Sequence, residues 1–208
     1  MNKIILCTFV FAGIAAAQPL GLGVKVGVPL TDALTVESPN PFDYTASTNR
    51  YVIGPYGEIR LPGGFAVEID ALYRSYGFSS IPIALLPSGG ALGPIFVNPS
   101  IVPSRSVSVG SWEFPVLAKY RFFGGPIRPY IDGGVVLSRL TGVNDIVELN
   151  HRSNYGIALG AGVDLHLLFL HITPEIRYDG FVFRNFSSSA EALRSNRNQA
   201  FIMVGIGF

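Results

Sequence analysis

The sequence has little of what most directly identifies common protein classes. Its 208 residues include one cysteine, Cys7, and charged residues make up only 14%, with a formal net charge of +1. A single cysteine excludes a scaffold held by internal disulfides, and the near-neutral charge gives no electrostatic argument for nucleic-acid binding. Beyond residue 17, no uninterrupted apolar stretch reaches the ~18 residues that a membrane-spanning helix needs.

Apolar residues are nevertheless abundant, and so are the residues that interrupt regular structure. The mean hydropathy is +0.40, and the chain contains 24 glycines and 15 prolines. High hydropathy without a helical span leaves two options, an unusually apolar soluble protein or a membrane barrel with its apolar residues on one strand face. The length fits a single domain.

The first residues have the order of a secretory signal peptide. Lys3 supplies the positive charge, residues 4–14 are apolar, and Ala15, Ala16 and Ala17 form a small-residue cleavage site. We therefore expect residues 1–17 to be a cleaved signal peptide and residues 18–208 to be one exported domain without cysteine.

Strict alternation of apolar and other residues runs through the exported domain. Every even position from Leu20 to Leu30 is aliphatic, and Ala200, Ile202, Val204, Ile206 and Phe208 repeat the pattern at the C-terminus. A period of two indicates strands with unlike faces. The pattern predicts eight strands, at residues 20–30, 50–61, 65–76, 110–122, 127–140, 154–167, 171–179 and 200–208.

The predicted connections alternate between short and long. Tight turns fall at residues 62–64, 123–126 and 168–170, whereas the long connections span residues 32–49, 77–108, 141–153 and 180–198. This alternation is typical of a transmembrane barrel with turns on one rim and surface loops on the other. The prediction is an all-β, eight-stranded antiparallel up-and-down transmembrane barrel with short periplasmic turns and long extracellular loops.

Alternation alone does not decide which face points outward, because soluble ligand-binding barrels share it. The polar face mixes glycine-rich strands with charge-rich strands, as a narrow lumen requires. Its charges nearly balance, so they can pair inside a barrel. We expect a lumen network of Lys25, Arg50, Glu58, Arg60, Glu68, Asp70, Arg74, Glu113, Lys119, Arg121, Arg128, Asp132, Asp164, Glu175 and Arg177.

Aromatic residues on the apolar face gather at the strand ends, as expected at the two surfaces of a bilayer. Five lie toward the long loops, namely Tyr51, Tyr73, Trp112, Tyr155 and Tyr178. Four lie toward the short turns, namely Phe65, Tyr120, Phe122 and Phe208. Arg139 shares the apolar face, where it could reach lipopolysaccharide phosphates or extend to the interface.

Several segments carry a family resemblance that covers the exported domain. Residues 54–62, 111–115, 128–130 and 174–178 resemble the OmpA/OmpX-like group with an outer membrane protein beta-barrel domain. The terminal Phe208 resembles the signal by which the barrel-assembly machinery recognises such chains. The resemblance implies a Gram-negative outer-membrane location, lipid and lipopolysaccharide as surroundings, and no cofactor. Pro55 and Pro115 fall within strands, where we expect bulges.

One stretch resembles a catalytic motif. His151, Arg152, Ser153 and Asn154 resemble the His-x-Ser-Asn motif of outer-membrane lipid A deacylases, in which a His can serve as the base for a Ser. No carboxylate follows on the same face of the strand to orient His151. The sequence therefore favours a protein that is not an enzyme, with a hydrolase using His151 and Ser153 as the alternative.

His166 and His171 flank a tight turn with lumen parity, but no third metal ligand is evident, which favours hydrogen-bonded lumen residues and no metal.

The long connection at residues 77–108 is unusually apolar for a loop. It could be a lid, a lipid contact or a binding surface, or an extension of its two strands. The leading hypothesis is a structural or surface-interaction barrel with residues 77–108 and 180–198 as its interaction surface. A soluble exported barrel for a small apolar ligand is a further alternative.

Overall fold

A computed structural model describes residues 18–36, 42–48, 50–82, 105–122, 124–143, 149–167, 170–187 and 193–208. The predicted signal peptide, residues 1–17, lies outside this part of the chain. So does the middle of the apolar connection, residues 83–104.

Within the described residues the chain forms twelve strands and one short 3-10 turn, at Pro62–Gly64. The strands are β1 (Gln18–Pro29), β2 (Leu34–Val36), β3 (Phe42–Thr48), β4 (Val52–Arg60), β5 (Phe65–Asp70), β6 (Leu72–Pro82), β7 (Arg105–Arg121), β8 (Ile127–Thr141), β9 (Ser153–Leu167), β10 (Leu170–Phe181), β11 (Leu193–Ser195) and β12 (Asn198–Gly207). No helix among the described residues is both long and apolar enough to cross a membrane.

Eight antiparallel strands close into a barrel, which confirms the predicted fold class. Around the barrel the order is β1, β12, β10, β9, β8, β7, then β5 with β6, then β4, which pairs again with β1. β5 and β6 form one barrel strand that is interrupted at Ala71. The amide of Leu22 donates to the carbonyl of Phe208, so the first and last strands are joined near the turn end. A closed barrel leaves no unpaired edge for its backbone polar groups, as a bilayer demands.

Strands continue into three segments that the alternation predicts as loops. β6 runs to Pro82, β7 begins at Arg105, and β3 adds a further strand against β6. β2 and β11 form a separate two-stranded sheet that joins the connection at residues 32–49 to the one at residues 180–198. The prediction of a loop over residues 77–108 is therefore wrong at both ends. There the alternative, in which the two strands extend beyond the barrel, is correct.

The prolines in the strands do not produce the expected bulges. Pro55 pairs with Val24 and Pro115 pairs with Val136, and the register is the same on both sides of each proline. The irregularity lies instead at the start of β1, between Gln18 and Gly21. A missing N–H thus removes a ladder bond at Pro55 and Pro115 without inserting a residue.

Burial alternates along every barrel strand. Aliphatic side chains point outward, as with Ile131, which is 51% exposed, and Ile157, which is 55% exposed. The residues between them, such as Asp132 and Lys119, are buried inside. An apolar exterior around a charged interior is the reverse of a soluble protein and is typical of a barrel surrounded by lipid.

Candidate functional site

The centre of the barrel holds two cations surrounded by three carboxylates. Lys25 Nζ lies 2.5 Å from Glu68 Oε1 and 3.2 Å from both Asp70 Oδ2 and Glu175 Oε2. Arg177 donates from Nε to Glu175 over 2.6 Å and from Nη1 to Asp70 over 2.7 Å. All five side chains are buried. Each charge has an opposite partner, which is the condition under which burial of charges is tolerated.

Lys119 continues the central network toward the turn end. Its ammonium donates to Glu68 and lies 3.5 Å from Glu58 Oε2. It also lies 4.3 Å from the centre of the Tyr130 ring, within the range of a cation–π contact. The Tyr130 hydroxyl in turn donates to Glu175 over 3.0 Å.

Arg121 links the network to the turn rim. Its guanidinium donates to Glu58 and, from Nε over 2.7 Å, to Asp164 Oδ2. Arg60 donates to the other oxygen of Glu58 over 2.9 Å. The cavity among these side chains is only about 10 Å³, roughly the space for one water molecule. The ion pairs among these side chains therefore leave little open space between them.

A separate charged group lies toward the loop end. Arg74 Nη2 is 2.6 Å from Glu113 Oε1, and both side chains are buried. Asp179 is buried as well. The predicted network left out Asp179, although it has the lumen parity of Arg177 two residues before it.

Most residues of the predicted lumen network lie inside the barrel. Twelve are buried, while Arg60 and Arg128 are half-buried near the turn rim and Arg50 is exposed just before β4. The buried twelve are Lys25, Glu58, Glu68, Asp70, Arg74, Glu113, Lys119, Arg121, Asp132, Asp164, Glu175 and Arg177.

The expected near-balance of charge does not hold in the buried interior. The buried cations are Lys25, Arg74, Lys119, Arg121 and Arg177. The buried carboxylates are Glu58, Glu68, Asp70, Glu113, Asp132, Asp164, Glu175 and Asp179. Among the described residues, five buried cations thus face eight buried carboxylates. Three arginines of the predicted network lie at the strand ends, where parity alone does not place a side chain inside.

Glycines make the space that the long lumen side chains need. A Cβ on Gly160 would lie 2.4 Å from Asp132 Oδ1, and one on Gly162 would lie 2.6 Å from the Tyr130 ring. A Cβ on Gly23 would similarly lie 2.5 Å from the Tyr56 ring. Glycine-rich walls and long side chains are therefore complementary, as expected for a narrow barrel.

Apolar side chains with lumen parity, which the predicted charge network does not include, also lie inside the barrel. Leu117, Val136, Ala158 and Phe181 form one buried group. Val52, Leu72, Phe201 and Met203 form a second. The lumen therefore contains apolar packing as well as buried ion pairs.

An apolar cluster, which we name the surface cap, closes the loop end of the barrel. The rings of Tyr76 and Phe78 meet the ring of Phe186 edge to face, with centroids 6.3 and 6.2 Å apart. Leu34 of β2 and Leu193 of β11 are buried in the same cluster. The cap comprises Ala33, Leu34, Tyr76, Phe78, Val109, Leu140, Val143, Phe186 and Leu193.

The predicted aromatic residues lie on the outer face at the two strand ends. Near the loops, the Tyr73 and Trp112 rings are 5.2 Å apart, and Arg139 is exposed opposite Trp112. Near the turns, the Phe65 and Tyr120 rings are 4.9 Å apart. The remaining predicted aromatic side chains are also exposed or half-buried, namely Tyr51, Phe122, Tyr155, Tyr178 and Phe208.

The residues that resemble a deacylase motif lie at and just before the start of β9, against the segment that follows β10. The His151 ring stacks on Phe183 with centroids 4.9 Å apart. In the described part of the chain, no hydrogen bond joins that ring to Ser153 or to a carboxylate. Asn154 is buried and donates to the Phe183 carbonyl and to Asn185 Oδ1, both over 2.8 Å. Its contacts hold the loop after β10 in place.

Asp164, His166 and His171 lie together at the turn rim. One ligand atom from each lies within 4.8 Å of the others, a spacing that could hold a metal ion. The expectation that the two histidines have no third candidate ligand is therefore wrong. The signal was present in the sequence, because Asp164 precedes His166 by two residues and so shares its face.

A barrel with apolar residues outside, charged residues inside and aromatic ends is a transmembrane β-barrel. Residues 16–180 match the family model described as "Outer membrane protein beta-barrel domain", and the chain belongs to this family. Among curated proteins, none matches the sequence. The outer-membrane location is thus confirmed, and a soluble exported barrel is not favoured.

Solved structures of small outer-membrane barrels are similar over nearly the whole chain. OprG from Pseudomonas aeruginosa is 12% identical with a TM-score of 0.53, covering 90% of this chain and 92% of OprG. Neisserial surface protein A is 12% identical with a TM-score of 0.49, covering 92% of this chain and 97% of its own. AlkL, solved in DMPC lipid bilayers, is 14% identical with a TM-score of 0.49, and the match covers 91% of this chain and 89% of AlkL. The similarity to OprG shows the fold alone.

Proposed function

We propose that this protein is a non-enzymatic outer-membrane barrel that conducts no solutes and serves to display surface segments or to reinforce the envelope. The observation that supports it is the filled lumen, which holds both buried ion pairs and buried apolar groups. Within the part of the chain that the structure describes, a lumen packed in this way leaves no room for a wide aqueous path. The protein therefore acts through its rigid barrel wall and through the surface segments that the barrel supports.

The structural basis for display is the sheet that continues beyond the barrel. β6 and β7 extend past the loop-end aromatic residues and flank residues 83–104 in the sequence. β3 pairs with the extension of β6. Residues 180–198 are attached to the same end through β11 and the Phe186 bridge to Leu149. These supports favour residues 77–108 and 180–198 as the interaction surface, since rigid elements position recognition loops well.

The first experiment tests the closed lumen. Purified protein reconstituted into planar lipid bilayers should show no stepwise conductance, while heat-modifiable migration on gels confirms that the barrel has inserted. A matched sample of a known outer-membrane porin supplies the positive control. Regular single-channel steps from the wild-type barrel would contradict the proposal.

The second experiment tests surface display. Deletion of residues 83–104 keeps β6 and β7 and should leave barrel assembly and heat-modifiable migration unchanged. If the wild type confers self-aggregation or surface attachment on cells, cells that display this variant should lose it. Deletion of residues 144–148 serves as the control. If neither deletion changes a phenotype that removal of the whole protein does change, the role lies in the barrel and envelope reinforcement is the function.

We also propose that lipopolysaccharide contacts the loop-end outer face and that the barrel-assembly machinery recognises Phe208, which is 76% exposed at the turn end. Arg139 on the outer face supports the first part, because a guanidinium pairs well with phosphate. Phe208→Ala should slow assembly in cells without changing the mobility of protein refolded in detergent. Equal assembly rates in cells would refute the role of Phe208.

A further inference from the structure

The hairpin of β9 and β10 brings three potential metal ligands to one spot at the turn rim. His166 and His171 are direct cross-strand partners. Asp164 lies two residues before His166, so all three side chains leave the same face of the sheet. The hairpin register alone therefore places two imidazoles and a carboxylate together.

The distances among the ligand atoms fit a small ion with nitrogen and oxygen ligands. Asp164 Oδ1 is 3.5 Å from His171 Nδ1 and 3.9 Å from His166 Nε2. Zinc–ligand bonds of about 2.0–2.1 Å in tetrahedral geometry separate neighbouring ligand atoms by roughly 3.4 Å. Small side-chain rotations would bring the three atoms onto one ion, with water as a fourth ligand.

The Asp164 carboxylate has one oxygen in use and one without a partner. Oδ2 accepts a hydrogen bond from Arg121 Nε over 2.7 Å, which orients the group. Oδ1 is buried without a hydrogen bond and faces both imidazoles, while the side chain as a whole is 1% exposed. A buried carboxylate oxygen without a donor is costly, and a cation between it and the two rings would satisfy it.

We propose that Asp164, His166 and His171 form a binding site for a divalent metal ion of the zinc class. Imidazole and carboxylate ligands together suit zinc and its neighbours among the transition metals better than calcium or magnesium, which prefer all-oxygen sites. A cleft of about 370 Å³ at the turn rim leads to the three residues. The ion would tie the ends of β9 and β10 together.

Arg60 controls access to this site. Its Nη2 lies 3.3 Å from His171 Nδ1, and because a guanidinium only donates, Nδ1 must accept this bond with the lone pair that a metal would use. The Arg60 side chain is 23% exposed and can turn toward solvent while Glu58 stays paired with Arg121. Arg60 therefore competes with the metal, both for the lone pair and by its charge.

The test uses the untagged chain from Gln18 onward, refolded in detergent, with zinc chloride titrated by calorimetry and Co²⁺ absorption as a probe of geometry. The wild type should bind about one ion per chain. His166→Gln and His171→Gln should each weaken binding by at least the ~10–100-fold that loss of a supporting contact to a metal ligand costs. His151→Gln, which changes the third histidine at the opposite rim, should bind as the wild type does.

Arg60→Gln gives the sharper result. Removing a competing cation should strengthen zinc binding, whereas an anion site formed by Arg60, Arg121 and Arg128 would lose affinity for inorganic phosphate. Heat-modifiable migration checks that each variant folds. Zinc binding that survives His166→Gln and His171→Gln together, or that weakens in Arg60→Gln, would overturn the proposal, as would phosphate binding in place of zinc binding.

Discussion

The barrel interior and the surface cap are both buried, yet their chemistry is opposite. Inside the barrel, Lys25 and Arg177 lie among carboxylates. In the cap, Phe78, Leu140 and Phe186 pack together as in a soluble core. The difference follows from what lies outside each region, since aliphatic side chains cover the barrel wall while the cap lies beyond the loop-end aromatic residues. Burial in this protein is set by the surrounding medium and not by residue type.

This comparison predicts a large cost for breaking the lumen network. Lys25→Ala would leave Glu68, Asp70 and Glu175 without the ammonium that lies 2.5–3.2 Å from them. Removing one partner of a buried ion pair costs about 3–5 kcal/mol. We expect that loss in the free energy of unfolding, measured by urea denaturation in detergent micelles with the fluorescence of the single tryptophan, Trp112. Arg50→Ala, at an exposed position, should change it by less than about 0.5 kcal/mol; equal effects would refute a paired lumen.

An arginine introduced on the outer face tests which part of that face meets lipid and which part meets water. Val135 is 54% exposed near the middle of β8, where Val135→Arg should cost about 2–4 kcal/mol in a bilayer. Ser108→Arg, at an exposed position on the strand extension of β7, should cost almost nothing because that face meets water. Unfolding in lipid vesicles measures both, and a harmless Val135→Arg would contradict a lipid-facing wall.

Substitutions of glycine by alanine test how tightly the lumen is packed. Gly162→Ala places a Cβ 2.4 Å from the Pro174 carbonyl oxygen and 2.6 Å from the Tyr130 ring. Overpacking of this kind costs about 1–3 kcal/mol. The matched control is Gly57→Ala, whose Cβ would meet only Leu22 Cδ2 at 3.5 Å. Comparable stability of the two variants in urea would show that the lumen is not tightly filled.

The cap should yield the smallest change in the barrel itself. Phe186→Ala removes the ring that meets Tyr76 and Phe78, but it leaves the eight-strand ring intact. We expect faster amide exchange in β2 and β11 and little change in the unfolding of the barrel, because local elements open independently of a more stable core. Unchanged exchange there would mean that the cap does not hold the mouth closed.

The sequence predicted the eight strands, their faces and most of the buried charges, because alternation with a period of two reports the contrast between lipid and lumen. It did not predict the cap or the β2–β11 sheet, since these depend on contacts between distant short segments. Arg50 has lumen parity but lies before β4 begins at Val52. For Asp164, by contrast, parity predicts the correct face, and the hairpin register brings it close to His166 and His171.

The most direct test of the account is a nitroxide scan along β8, from Ile127 to Thr141. The chain from Gln18 onward contains no cysteine, so single cysteines can be introduced one at a time. In bilayers, labels at positions 131, 135 and 137 should collide with dissolved oxygen and not with a water-soluble nickel reagent, while labels at 132 and 136 should be protected from both. A nickel reagent that reaches the odd positions, or accessibility without a period of two, would contradict the inside-out barrel.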